Sequence, residues 1–322
     1  FTRDVNKRTA GDPSVRDLEA RMNDAEDDAE RARLQVELSA TRTAVRSQKL
    51  GEVAAEFEAV HNIERAREVA GSFSQLNPDF ISVTYSAGGS GNNGATTKIA
   101  QMIDADFGIP SVAHLTCISL KRADLLAKID EMRAAGIQNV LALRGDVPQG
   151  APTGPGCADY RYAKDIIPHL VDAGFCVGAA AYPEGHIECD DLELSVRQLK
   201  EKQDAGASFL VTQLFFDNQY FYRFRELAER TGITVPITAG IMPFMGKSQI
   251  SRMVFMCGAS LPSPVIKLLA RYEDDADSLR AAGIEYACRQ LEDLAANGVD
   301  GLHVYTMNRA DVAGAAMSAL RA

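Results

Sequence analysis

Residues 139–146 read Asn-Val-Leu-Ala-Leu-Arg-Gly-Asp (NVLALRGD), an apolar body closed by Arg144, Gly145 and Asp146. A short continuous apolar run is the pattern of a strand covered on both faces, as in a parallel sheet. A charged Arg-Gly-Asp at its end is costly unless it is solvated or used. Gly145 lets the backbone approach a ligand closely. Taken alone, the stretch fits an ion-paired turn as well as a binding site.

Working outward, the same texture recurs about every 30 residues, at 80–85 (FISVTY), 111–117 (SVAHLTC), 176–182 (CVGAAAY), 208–216 (SFLVTQLFF), 236–242 (PITAGIM) and 301–306 (GLHVYT). Amphipathic stretches lie between. Residues 122–135 put Leu125, Leu126, Ile129 and Met132 on one face, and 194–205 ends at Gly206, a helix-terminating glycine. Strands alternating with helices give an α/β fold with a parallel sheet. Seven such strands point to a (β/α)8 TIM barrel. The competitor is an open doubly wound sheet, but no G-x-G-x-x-G follows any strand.

The polar residues decide between them. Thr84–Tyr85, His114 and Thr116, Arg144–Asp146, Tyr182–Glu184, Gln213 and Tyr305–Arg309 each lie toward the end of a strand. In a barrel these ends converge on one mouth and line one site. An eighth strand is expected ahead of the helix at 63–76. The local candidate, 53–60 (VAAEFEAV), also continues a helical pattern.

The first 50 residues differ in kind, with 20 Asp, Glu, Lys or Arg and Phe1 as their one aromatic residue. After Pro13 the stretch 14–47 reads as helix, with Ser14 as its cap. Val15, Leu18 and Met22 form one stripe, and Leu34 and Leu38 another. The run 24–30 (DAEDDAE) is too polar for a core. The stretch reads as a solvated helix or helical hairpin, or as a partner helix for a coiled coil. The expected division is a charged helical extension or insertion over 1–61 and a barrel over 62–322.

The whole chain of 322 residues is 46% hydrophobic and carries a net charge of -10, from 34 basic and 44 acidic residues. That balance argues against a nucleic-acid partner, which needs a basic patch. It leaves room for a small anion, because a local pocket can oppose the global sign. There is no apolar run of the length a membrane span needs, roughly 18 residues. Six cysteines without a CxxC pair read as reduced thiols in a cytoplasmic protein. Five scattered histidines give no metal-site spacing. The chain begins at Phe1 rather than Met, which suggests that something upstream was lost or removed.

Several residues carry chemistry beyond folding. His114 sits inside an apolar strand, where a satisfied core histidine and a ligand contact are both open readings. Gln213, mid-strand, needs partners for two donors and an acceptor, which a heteroaromatic ring or the barrel interior can supply. The loop 87–91 (AGGSG) can present backbone N–H groups to a phosphate, but lacks the P-loop lysine pattern. Tyr182 and His186 flank a Pro-Glu-Gly turn and can meet a flat ligand. Lys200 and Lys202 can reach a phosphate or remain solvated. Stacking groups, amides and cations together suit a flat heterocyclic cofactor better than hydrolysis.

These stretches, in this order, resemble the methylenetetrahydrofolate reductase family: 77–90 (NPDFISVTYSAGGS), 114–117 (HLTC), 141–146 (LALRGD), 180–186 (AAYPEGH), 199–207 (LKEKQDAGA), 212–218 (TQLFFDN), 240–243 (GIMP) and 303–310 (HVYTMNRA). The resemblance covers about residue 62 to the end. It implies a flavin-containing barrel that reduces 5,10-methylenetetrahydrofolate to 5-methyltetrahydrofolate, in one-carbon metabolism and methionine biosynthesis. FAD would take hydride from NADH or NADPH and pass it to the folate in ping-pong fashion. Carried over by motif, Thr84, Tyr85, Ala87, His114, Arg144, Gly145, Asp146, Tyr162, Ala163, Tyr182, His186 and Lys202 would contact FAD. Asp146 and Gln213 would be the catalytic pair and hold the pterin, and Arg309 would bind the folate's glutamate end. The Asp146 carboxylate would disfavour the reduced anionic flavin and so promote hydride donation. The family commonly forms homo-oligomers.

The chain also departs from the pattern. The family's first strand reads roughly apolar–Glu–Phe–Phe–Pro–Pro, its Glu serving as general acid. Ala55-Glu56-Phe57-Glu58 is a faint echo of it, and the expectation is that the true strand lies upstream of Phe1. Ser195 stands where an Asp usually contacts the flavin ribose, and Lys247 replaces a usual aromatic residue. These departures motivate two alternatives: a flavin-free enzyme with direct hydride transfer, and a non-catalytic folate-binding or partner subunit.

Overall fold

The computed structural model describes residues 10–25, 30–31, 33–35, 37–42, 63–84, 95–118, 120–145 and 158–321. The chain divides into two compact units, Phe1–Ala66 and Arg67–Ala322.

In the first unit, helix α1 spans Pro13–Asp24. Its cap is Asp12 rather than Ser14: the Asp12 carboxylate accepts the Ser14 N–H at 3.1 Å, and Pro13 fills the first helical position. The single helix expected over 14–47 breaks at Ala25, whose ψ of 125° is extended. Helical backbone resumes within 30–42. The break coincides with the run 24–30, where like charges at i,i+4 oppose helix. Val15, Leu18 and Ala25 then pack with Leu34 and Leu38 in one small apolar core. The two apolar stripes face each other, as in a helical hairpin. The strand candidate at 53–60 and Glu56 lie outside the described residues.

The helix expected at 63–76 is found over residues 63–74 and is designated α2. In the second unit, seven strands run parallel in the order β1 to β7. They are β1 Ile81–Val83, β2 Ser111–Thr116, β3 Asn139–Leu143, β4 Cys176–Ala181, β5 Phe209–Thr212, β6 Ile237–Ile241 and β7 Gly301–Val304. Helices alternate with them: α3 Ala95–Phe107, α4 Arg122–Ala134, α5 Ala163–Asp172, α6 Leu192–Asp204, α7 Asn218–Arg230, then α8 Lys247–Cys257, α9 Ser263–Arg271 and α10 Ala276–Ala296 ahead of β7, and α11 Ala310–Arg321. Sequential neighbours all parallel form the wall of a curled α/β barrel. Among the described residues β1 and β7 share no ladder, yet Phe80, just before β1, stacks on His303 of β7 at 5.9 Å and 18°. The sheet therefore curls far enough to bring its two edges into side-chain contact.

Alternation sorts the side chains. Val112, Leu141 and Val211 form one cluster with Phe80, Leu143 and Phe209 packed against it. Their period-2 partners toward the strand ends, His114, Gly145 and Gln213, share that inner face. The intervening Ala113, Leu115, Val140, Ala142 and Leu210 are fully buried. The apolar run 208–216 stops being strand after Thr212. Phe215 and Phe216 are buried in the following loop, stacked with Phe221 and edge-on to Phe244. Aspartates start three helices: Asp191, Asp217 and Asp275 accept the N–H groups of Leu194, Gln219 and Ser278, each at 3.0 Å. Among the described residues no helix is long and apolar enough to cross a membrane.

Candidate active site

The strand ends fall into two groups. The first is cationic and aromatic. Arg144, just past β3, meets the Glu188 carboxylate with both terminal nitrogens, Nη2 to Oε1 at 3.0 Å and Nη1 to Oε2. Gly145 follows with φ of +83°, and a Cβ there would lie 2.9 Å from that of Thr116, so the turn requires glycine.

Lys202 reaches back from the last turn of α6, as helical side chains lean toward the N-terminus. Its amine donates to the Ala180 carbonyl at 2.7 Å and lies 5.4 Å from the Tyr182 ring centre. Burial first, and Arg144 second, lower its pKa to about 8. Tyr182 meets His186 edge-on at 4.8 Å. His186 donates its backbone N–H to Ser195 Oγ at 3.3 Å, and its Nδ1 accepts the Glu188 N–H at 3.1 Å. The turn between them is anchored by Glu184, which accepts the Ser260 N–H at 3.0 Å. Tyr162 caps α5 next to the buried Ala163, and Arg161 and Lys164 lie 5.2 and 5.8 Å from its ring centre.

The second group is neutral. Gln213 Oε1 accepts the Leu214 N–H at 3.0 Å, and its backbone N–H donates to Ala181 at 2.8 Å. Tyr305 crosses β6 to donate its hydroxyl to the Thr212 carbonyl at 2.8 Å. It does so over Gly240, where a Cβ would stand 2.3 Å from that carbonyl and 2.8 Å from the Tyr305 ring. Burial raises the Tyr305 hydroxyl pKa, so it stays protonated. Deeper in the curl, His114 Nε2 pairs with Ser82 Oγ at 2.6 Å. His303 meets the Tyr305 ring edge-on at 4.8 Å, and its enclosed Nδ1 has no hydrogen-bond partner among the described residues. Burial holds both imidazoles near pKa 4, with His303 a second cause for His114.

Seven of the fourteen sequence-selected residues are thus brought together. His114, Arg144, Gly145, Tyr182, His186 and Lys202 occupy neighbouring strand ends and loops, with Gln213 on the next strand. Thr84 follows β1, its carbonyl accepting the Thr96 hydroxyl at 3.2 Å. Arg309 lies past β7, exposed, 3.4 Å from Asp311. Lys247 pairs with Glu273 at 2.6 Å. Tyr85, Ala87 and Asp146 lie outside the described residues. Sequence reasoning left Ser82, Glu188, Thr212 and His303 out of the site. For His303 and Tyr305 the alternation 301, 303, 305 was the available signal; Ser82 lies in β1 and Thr212 ends β5, and only Glu188 depends on loop geometry. Among the described residues no group of three or more His, Cys, Asp or Glu could hold a metal ion.

Arg144 and Lys202 lie close enough for one to depress the other's pKa. Two like charges drawn partly out of water favour an anion between them. With Tyr182 and His186 alongside, the set fits a phosphate-bearing cofactor with a flat ring system.

A family model described as methylenetetrahydrofolate reductase matches residues 44–321. The chain belongs to that family. The 5,10-methylenetetrahydrofolate reductase of Pectobacterium carotovorum subsp. carotovorum is 35% identical over 240 residues, 74% of this chain and 78% of that one. The Escherichia coli reductase of the same name is 34% identical over 240 residues, 74% and 79% of the two chains. Methylenetetrahydrofolate reductase 1 of Schizosaccharomyces pombe is 34% identical over 234 residues, which is 72% of this chain and 39% of that longer relative. The family match opens at residue 44, within the segment read as the charged extension. Among solved structures, an uncharacterized Clostridium thermocellum protein that binds two copies of 5-methyl-5,6,7,8-tetrahydrofolic acid aligns over 81% of this chain and 90% of its own. With a TM-score of 0.52 and 15% identity, it shares the fold.

Proposed function

We propose that this chain is a flavin-dependent reductase that converts 5,10-methylenetetrahydrofolate to 5-methyltetrahydrofolate with NADH or NADPH as donor. The observation that carries the reading is the convergence of Arg144, Lys202, Tyr182 and His186 on neighbouring strand ends in a member of this family. FAD, when bound, would accept hydride from the nicotinamide and donate it to the folate. The chain's own residues would do the rest. Arg144 and Lys202 would neutralise the diphosphate, and Tyr182 and His186 would border the flat part of the cofactor. Gln213 would exchange its local bond to Leu214 for paired hydrogen bonds to the pterin. Tyr305, kept protonated, would hold the wall behind it, and Arg309 would meet the folate's glutamate.

We assign residues 62–322 to the catalytic barrel and 1–61 to a charged helical appendage. Among the described residues, the thiols of Cys117, Cys176, Cys189 and Cys288 are outside any disulfide, which supports a reducing, cytoplasmic setting. The test is the purified chain's visible spectrum together with NAD(P)H-dependent formation of 5-methyltetrahydrofolate. A flavin spectrum with turnover is expected. Turnover by colourless protein would replace the reading with direct hydride transfer, and a yellow protein without turnover would replace it with a binding role.

A further inference from the structure

The guanidinium of Arg144 is met by a carboxylate from the next βα loop. Glu188 engages Arg144 two-pronged, and the partners differ in exposure: the Arg144 side chain is 22% exposed, Glu188 63%. The cation thus belongs to the interior of the strand-end face, and the carboxylate reaches it from the solvent side. The loop holds the carboxylate in place through the Glu188 N–H on His186 Nδ1. Arg144 in turn keeps the Glu188 carboxyl below the usual range. Lys202 and Arg161 stand near the same spot.

A planar guanidinium edge accepts one bidentate oxyanion at a time. Glu188 and a phosphate oxygen pair are therefore alternatives at that edge of Arg144. A largely solvated carboxylate loses little when it returns to water, since exposed pairs of this kind are worth up to about fivefold in an equilibrium constant.

We propose that Glu188 is a built-in competitor for Arg144, occupying the guanidinium until a diphosphate-bearing ligand displaces it, and so sets how tightly the cofactor is held. Only the identity of the ligand rests on the flavin reading; the competition follows from the ion pair. Its consequence is a weakened grip on the diphosphate, so the cofactor can leave and be replaced. The effect is screened by salt.

The experiment titrates the full chain, stripped of flavin, with FAD, inorganic pyrophosphate and riboflavin, following bound ligand by calorimetry at low and high salt. Glu188→Gln is expected to tighten FAD and pyrophosphate about two- to fivefold at low salt, less at high salt, and to leave riboflavin unchanged. Glu188→Ala should show the same gain, which separates lost charge from the new amide. Adding Arg144→Gln should abolish it. Unchanged or weaker binding of both phosphate ligands in the Glu188 variants would overturn the proposal, as would an equal gain for riboflavin. Absence of pyrophosphate and FAD binding in every variant would also overturn it. A pyrophosphate gain in a protein that takes up no FAD would uphold the competition while removing the flavin reading.

Discussion

Past strands β3 and β4 the site presents Arg144, Lys202, Tyr182 and His186, whereas β5 to β7 present Gln213, Tyr305 and His303. The first group is charged and carries its own counter-ion. The second is neutral and held by hydrogen bonds and ring contacts. The difference lies in what each can exchange. A cation pair met by an exposed carboxylate can gain by taking an anion in its place. A neutral amide and a protonated phenol gain by matching a heterocycle's donors and acceptors, and repel nothing. In a chain of net charge -10, the first group is a local reversal of sign. Under the proposed function, one half would take the cofactor's phosphates and the other the reacting heterocycle.

Four changes break or sharpen this contrast. Arg144→Gln should weaken FAD binding by about 10- to 100-fold, the worth of a charge-assisted bidentate contact, measured by flavin fluorescence. If FAD affinity holds, the cationic half is not the phosphate site. Gly240→Ala places a Cβ 2.3 Å from the Thr212 carbonyl and must shift Tyr305. It should cost about 1–3 kcal/mol in urea unfolding and raise the folate KM while leaving FAD affinity alone.

The third is a pH series. With Lys202 titrating near 8, its charge is present below that pH and lost above it. FAD affinity should fall about threefold from pH 7 to pH 9, its diphosphate keeping a constant charge there, and Lys202→Met should remove that slope. The smallest effect concerns stability. His114 and His303 titrate near 4 in the folded chain and near 6.5 when unfolded. Between these values the unfolded chain binds more protons, so stability falls as pH drops through the window and is fully present above it. The Tm should drop by about 3–5 °C from pH 7 to pH 6, and His303→Asn should flatten the decline.

Much of this fold was legible in the sequence because both faces of each strand are covered. The run NVLALRG announced β3, and the polar residue closing each run marked the mouth. The extents were less legible. The run 208–216 looks uniformly strand-like, but Phe215 and Phe216 leave the sheet to pack beneath the helices. Likewise 14–47 is uniformly helix-forming, and only the carboxylate run at 24–30 hinted at the break at Ala25. Within the site, Arg144, Tyr182, His186 and Lys202 were visible from motif resemblance, and Gln213 from its oddity in an apolar run. Glu188 was not: a glutamate in a loop after a strand looks like any solvated carboxylate. Its contact with Arg144 depends on the loop that starts at the Gly185 turn, with φ of +90°, and carries the His186 contact. Departures were also reinterpreted by their surroundings. Ser195 is buried and its hydroxyl holds the His186 backbone. Lys247 is paired with Glu273.

The division of labour is tested most directly by separating the two half-reactions anaerobically. Bound flavin is bleached with NADH or NADPH and then re-oxidised with 5,10-methylenetetrahydrofolate, in the unaltered chain and in Gln213→Ala. The account predicts that the variant binds and bleaches flavin like the parent, but re-oxidises it about tenfold more slowly, the worth of one lost hydrogen-bonding partner. Equal losses in flavin binding, bleaching and re-oxidation would contradict it.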